Sequence, residues 1–160
     1  MNIKSVYVES SIFGPLTSRP NLLPHIAAMQ QATVEWWSFH RHDYELYVSD
    51  LVLEEIAQGD KSYAELRLRL AENLNHLPVS VEIQTVAQKL IDLHAIPVDS
   101  TEDAIHVACA AVHRLDCVLT WNCKHIANPK KRTAIEKSLV SLGLSVPVLL
   151  TPAQLLAKTM

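Results

Sequence analysis

Glycine is scarce in this chain, with only Gly14, Gly59 and Gly143 among 160 residues. A phosphate-cradling Walker loop and a dinucleotide fingerprint both need closely spaced glycines, so neither can be written here. The three cysteines are odd in number and include no Cys-x-x-Cys pair. That pattern is expected of reduced thiols in the cytoplasm. Cys117, Cys123 and His125 follow no standard zinc-finger spacing. No apolar run reaches the roughly 18 residues of a membrane helix, and the N-terminus lacks the basic-then-apolar order of a signal peptide. The formal charge of -3 gives no global attraction for nucleic acid, so any phosphate-binding surface must be a local patch. A phospho-acceptor signalling domain should carry a lysine after its last strand, where this chain has "LLTPAQ".

What remains is an ordinary folded composition, 49% hydrophobic and 19% charged. The length suits one domain with a sizeable core, expected over residues 1–156, with 157–160 as a short tail. Short apolar runs alternate with longer amphipathic ones. Strands are expected at Ser5–Val8, Glu45–Ser49, Leu77–Ser80, Cys117–Thr120 and Val146–Leu150. Helical spacing is expected over 21–40, 50–58, 61–74, 81–93, 101–115 and 131–142, with a last turn opening at Thr151-Pro152. In 61–74 the register rests on Leu66, Leu70 and Leu74. Ser100-Thr101-Glu102-Asp103 has the form of a capping box. Strands alternating with helices imply an α/β fold with a mainly parallel sheet covered on both faces. Functional groups in such sheets gather beyond the carboxyl ends of the strands.

Acids stand at those ends. Glu9 closes the first strand. After the second, "SDLVLEEIAQG" offers Glu54 and Glu55, and packing by Leu51, Val52 and Ile56 turns Glu55 inward. Asp103 leads a helix apolar on most sides, although an acid in a first turn also serves as a cap. Asn122 and His125 follow the fourth strand in "LTWNCKHI". Three carboxylates sharing a crevice repel one another and persist where a cation sits among them. Oxygen donors point to Mg²⁺ or Mn²⁺ rather than zinc. The matching chemistry is phosphodiester hydrolysis.

At "VYVESSIF", "VSDLVLEEI", "EDAIHVACA" and "VLTWNCKHI" the chain resembles the PIN-domain nucleases, in particular the VapC-type toxins of toxin–antitoxin pairs. The resemblance spans nearly the whole chain, and the ordered set of motifs is more specific than any one of them. It implies a three-layer α/β/α sandwich, an acidic crevice binding Mg²⁺ or Mn²⁺, endoribonuclease activity, homodimers and silencing by an antitoxin. The family's first acid, usually Asp, falls on Glu9 with Ser10 next to it. The second falls on Glu55, six positions after the strand-end Ser49. The third falls on Asp103, and the fourth polar site on Asn122 or His125. Glu9, Glu55 and Asp103 are thus the expected metal ligands, meeting within a few ångströms. Asn122 or His125 would complete the shell or orient water, and Ser10 would steady the site.

Lys124, Lys130, Lys131, Arg132 and Lys137 form the one local basic run, placed to lead RNA phosphates into the crevice or simply to face solvent. Trp121 is a stacking candidate but is better suited to packing at a strand end. Trp36 and Trp37 are expected to anchor the first long helix, or one of them to enter a dimer contact. Glu9 and Asn122 depart from the family pattern, and they are the best support for the rival reading, a PIN-like binding module without catalysis.

Overall fold

The structure, a computed structural model, describes residues 2–159. Five strands form one sheet: β1 (Ser5–Val8), β2 (Glu45–Ser49), β3 (Asn75–Leu77), β4 (Cys117–Leu119) and β5 (Val148–Leu150). Their order is β3-β2-β1-β4-β5 and every pairing is parallel. The chain therefore winds outward from β1 in one direction, then returns to lay β4 on the other side. The reversal lies between β1 and β4, where an open parallel sheet leaves a crevice at its carboxyl edge.

Eight α-helices accompany the sheet among the described residues. They are α1 (Phe13–Thr17), α2 (Pro24–Phe39), α3 (Asp50–Ile56), α4 (Lys61–Ala71), α5 (Val81–Asp92), α6 (Thr101–Val112), α7 (Pro129–Ser141) and α8 (Pro152–Lys158). The helices contact one another in two sets, α1–α4 with α8, and α5–α7. Right-handed crossovers place such sets on opposite faces of a sheet wound in two directions. That is an α/β sandwich. Both faces being covered, Val6, Tyr7 and Val8 are all fully buried, as central parallel strands require.

Strands β1 and β2 have the expected bounds, β4 stops one residue early at Leu119, and β3 and β5 are displaced or shortened. β3 starts two residues and ends three residues before the expected Leu77–Ser80, because Pro78 has no N–H to give to a ladder. Asn75 ties the true strand in place by donating from Nδ2 to Leu46 O at 2.9 Å. Pro147 likewise keeps Val146 out of β5. In α4, Ala64 and Ala71 face the core while Leu66 is exposed, so the leucine register is not the buried stripe. Trp36 and Trp37 are both buried and stack edge-on, which leaves them to anchor α2 rather than to meet a partner.

The expected capping box at Ser100 does not form. The Ser100 hydroxyl makes no cap bond to its own helix and lies instead near Asp99 and His125, while Asp103 is held by the β4–α7 loop. The reciprocal pattern occurs at Thr151 and Gln154, where it starts α8. The short α1, and a 3-10 turn over Ser10–Ile12 before it, were unforeseen. Ile12 and Phe13 drive that turn inward, both fully buried.

Candidate active site

Glu9 sits where β1 stops, with the 3-10 turn folding over it. Its own carboxylate caps that turn, Oε2 accepting from the Ser11 amide at 3.2 Å. Oε1 accepts two hydroxyl bonds, from Ser11 Oγ and Thr120 Oγ1, each at 2.5 Å. Thr120 follows β4, so these bonds span the reversal point of the sheet. Glu9 is only 7% exposed. Three donors thus meet a carboxylate that is almost wholly buried, and they replace the hydration it loses there.

Glu55 approaches from α3. Ser49 caps this helix through Val52 N and sets its first turn against the end of β2. Val52 and Ile56 then pack inward, which leaves Glu54 exposed and brings Glu55 to the crevice. Glu55 Oε1 accepts from Ser10 Oγ at 2.7 Å and lies 2.6 Å from His106 Nε2. Burial pushes the Glu55 carboxyl up, but the hydrogen bond and positive charge of His106, with the Ser10 hydroxyl, outweigh it. The net direction is below the usual glutamate range.

His106 stands at the centre of this arrangement, and sequence reasoning did not single it out. It is one helical turn beyond Asp103 on α6 and only 1% exposed. Besides Glu55, its Nε2 faces Glu9 Oε2 at 3.9 Å. On the other side Nδ1 meets the Tyr7 hydroxyl at 2.6 Å, and that hydroxyl meets Ser49 Oγ at 2.8 Å. Tyr7 is fully buried, and burial above all, with Cys109 adding to it, keeps its phenol neutral far past the ordinary range. The available signal was the i, i+3 spacing of Asp103 and His106 on an otherwise apolar helix.

Glu9, Glu55 and His106 offer ligand atoms that all lie within 4.8 Å of one another, and they are the one such trio among the described residues. Asp103 is outside it. Its Oδ1 accepts from Asn122 Nδ2 at 2.9 Å and its Oδ2 lies 2.8 Å from His125 Nδ1. Asn122 Oδ1 in turn accepts from His125 N at 3.0 Å, and Asn122 N donates to Thr120 Oγ1 at 2.9 Å. Thr120 thus joins the Asp103–Asn122–His125 set to Glu9. Of the three acids expected to converge, Glu9 and Glu55 do so directly, while Asp103 flanks them through two polar side chains. The pair fits a hard divalent ion: the two carboxylates lie within 4.8 Å of one another, and among the described residues Glu55 Oε2 accepts no hydrogen bond.

Solved structures of toxins resemble this chain in fold. A toxin–antitoxin complex from Klebsiella pneumoniae matches with TM-score 0.57 and 19% identity over 92% of this chain and 98% of the other. VapC20 of Mycobacterium tuberculosis, a toxin that cleaves the sarcin–ricin loop, gives TM-score 0.60 and 16% identity over 76% and 92%. VapBC2 from Rickettsia felis, bound to a DNA fragment from its promoter, gives 0.53 and 12% over 91% and 97%. The fold is that of the VapC toxins. No family model matches the sequence, and no curated protein matches it either.

On this VapC fold the remaining expected residues fall as follows. Ser10 is half-buried and donates its hydroxyl to Glu55. Lys124, Lys130 and Lys131 are exposed on the loop and α7, while Arg132 is half-buried, with its guanidinium turned toward Leu149 O. Trp121 is half-buried and packs partly against the core, and its Nε1 donates to Thr33 Oγ1 at 2.8 Å. Cys117 is buried in β4 and Cys123 is exposed. No described helix is long and apolar enough to cross a membrane.

Proposed function

We propose that this protein is a metal-dependent endoribonuclease, the toxin of a toxin–antitoxin pair, working in the cytoplasm with Mg²⁺ or Mn²⁺. The observation that carries the reading is the Glu9–Glu55 pair at the reversal point of a VapC-fold sheet. A divalent ion there would polarise a phosphate oxygen and ease deprotonation of an attacking water. Glu9 and Glu55 hold the ion. Ser11 and Thr120 keep Glu9 aimed by hydrogen bonding, and Ser10 does the same for Glu55. Asp103, Asn122 and His125 flank the pair and orient water or the scissile phosphate. Lys124, Lys130 and Lys131 neutralise RNA phosphates on the approach, with Arg132 beside them. An antitoxin and a second copy of the chain are the protein partners that this reading adds.

Purified protein, freed of partner, is incubated with mixed RNA and Mn²⁺, Mg²⁺ or EDTA, beside Glu9→Gln and Asp103→Asn. Cleavage that needs the metal and is lost in both variants is the expected result. A well-folded protein that cleaves with neither metal would sink the nuclease reading in favour of a binding module.

A further inference from the structure

We propose that His106 is the third protein donor to the divalent ion, with Tyr7 and Ser49 as its positioning residues, and that the site consequently prefers Mn²⁺ to Mg²⁺. This rests on the proposed function, in which Glu9 and Glu55 hold an ion.

Three observations lead to it. His106 Nε2, not an Asp103 oxygen, completes the trio within 4.8 Å. Asp103 lies outside that trio, with its two oxygens facing Asn122 Nδ2 and His125 Nδ1 at 2.9 and 2.8 Å. His106 is also built in as metal-bound histidines are: its second nitrogen is engaged by a buried partner, which sets the ring orientation. Here that partner is Tyr7, itself anchored by Ser49 at 2.8 Å. With an ion bound, Nδ1–H would donate to the Tyr7 oxygen and the Tyr7 hydroxyl to Ser49 Oγ, which leaves the Nε2 lone pair facing the two glutamates. The same nitrogen lies 2.6 Å from Glu55 Oε1 in this structure.

Replacing one carboxylate by imidazole changes which ion suits the site. Nitrogen donors raise affinity along the first transition row, whereas Mg²⁺ favours oxygen and gains least. The test is titration of metal-free protein with MnCl₂ and with MgCl₂ by calorimetry, together with pulsed electron paramagnetic resonance of protein carrying less than one equivalent of Mn²⁺. Wild type should bind Mn²⁺ at least about tenfold tighter than Mg²⁺ and show nitrogen modulation from a coordinated imidazole. His106→Gln should lose the modulation and about tenfold or more in Mn²⁺ affinity, the scale of losing a ligand's support. Tyr7→Phe should weaken Mn²⁺ more than Mg²⁺, and His125→Gln should leave the modulation intact. Mn²⁺ binding without nitrogen modulation in wild type overturns the proposal even if His106→Gln fails to fold. Combined with weakened binding in Asp103→Asn, that result would return the third place to Asp103 and leave the nuclease reading standing. Failure of wild type to bind either ion would overturn this proposal and the metal-dependent reading together.

Discussion

The Thr120 hydroxyl donates to Glu9 Oε1 at 2.5 Å and links the end of β4 to the end of β1. The same oxygen atom of Thr120 accepts from Asn122 N, so one hydroxyl organises both halves of the crevice. Thr120→Val keeps the shape and removes both bonds. Metal-dependent cleavage is expected to fall roughly 10–100-fold, as for loss of a group supporting a ligand. The folded protein should lose about 1–2 kcal/mol, since Glu9 keeps Ser11 but Asn122 N loses its partner. Cleavage rates and urea denaturation check this, and unchanged rates would remove Thr120 from the site.

Glu9→Asp restores the residue usual in the resembled family, and it is expected to impair rather than improve the protein. The carboxylate would retreat by roughly 1.5 Å, one carbon–carbon bond. Ser11 and Thr120 are placed for the longer side chain, at 2.5 Å each. Cleavage and Mn²⁺ affinity should both fall. A gain in rate would mean that the crevice tightens around the shorter acid.

Charge reversal of the exposed Lys130 and Lys131 at the start of α7 tests the route of the RNA. The double change to Glu should weaken RNA binding at low salt and reduce the salt slope by about one for each phosphate no longer neutralised. Metal affinity should not move. Binding with an unaltered slope would place these lysines away from the RNA path.

Much of this architecture could be read from the chain, and its gaps have physical causes. β1 and β2 stood out because they are apolar runs bounded by polar residues, and Glu55 because Val52 and Ile56 left only one inward place for an acid. β3 was misplaced because Leu77 and Val79 alternate correctly while Pro78 forbids the pairing. His106 went unnoticed because a single histidine among alanines and valines carries no local sign that a tyrosine from β1 and a glutamate from α3 will meet it. Those contacts join residues 99 and 51 positions apart. Only the sheet order brings them together.

Helix ends offer a prediction independent of function. Arg114 and His94 end α6 and α5 in the left-handed region, with φ of 56° and 60°. Each closes its helix through the following amide, Leu115 N to Ala110 O and Ala95 N to Leu90 O, both 2.9 Å. A side chain there costs roughly 1 kcal/mol that glycine does not incur, partly offset by glycine's freedom when unfolded. Arg114→Gly should therefore raise stability by about 0.5 kcal/mol. A fall in thermal midpoint would mean that the arginine contributes more than its backbone costs.

Asp116 gives the pH dependence. Its carboxylate accepts from Lys4 N at 2.9 Å and Ser5 N at 3.1 Å, while its own amide donates to Ser5 Oγ at 2.9 Å. The exchange fastens β1 to the start of β4 at the end of the sheet opposite the crevice. Partial burial pushes the carboxyl up, but the two backbone amides, Ser5 and the Lys4 charge outweigh it, and the net direction is below the ordinary 3.8. The folded state therefore holds its proton more weakly than the unfolded chain. Stability from this group is fully present above the ordinary aspartate range and is lost as pH falls through the lower folded value. Asp116→Asn should cost about 1 kcal/mol near neutrality, a figure kept small because the site is partly solvated. The deficit relative to wild type should shrink as pH drops below 4, roughly the unfolded aspartate value. Denaturant midpoints at pH 7, 5 and 3 (conditions spanning about the relevant range) measure it. A deficit that stays constant with pH would assign the loss to shape and hydrogen bonding, with no part for the charge.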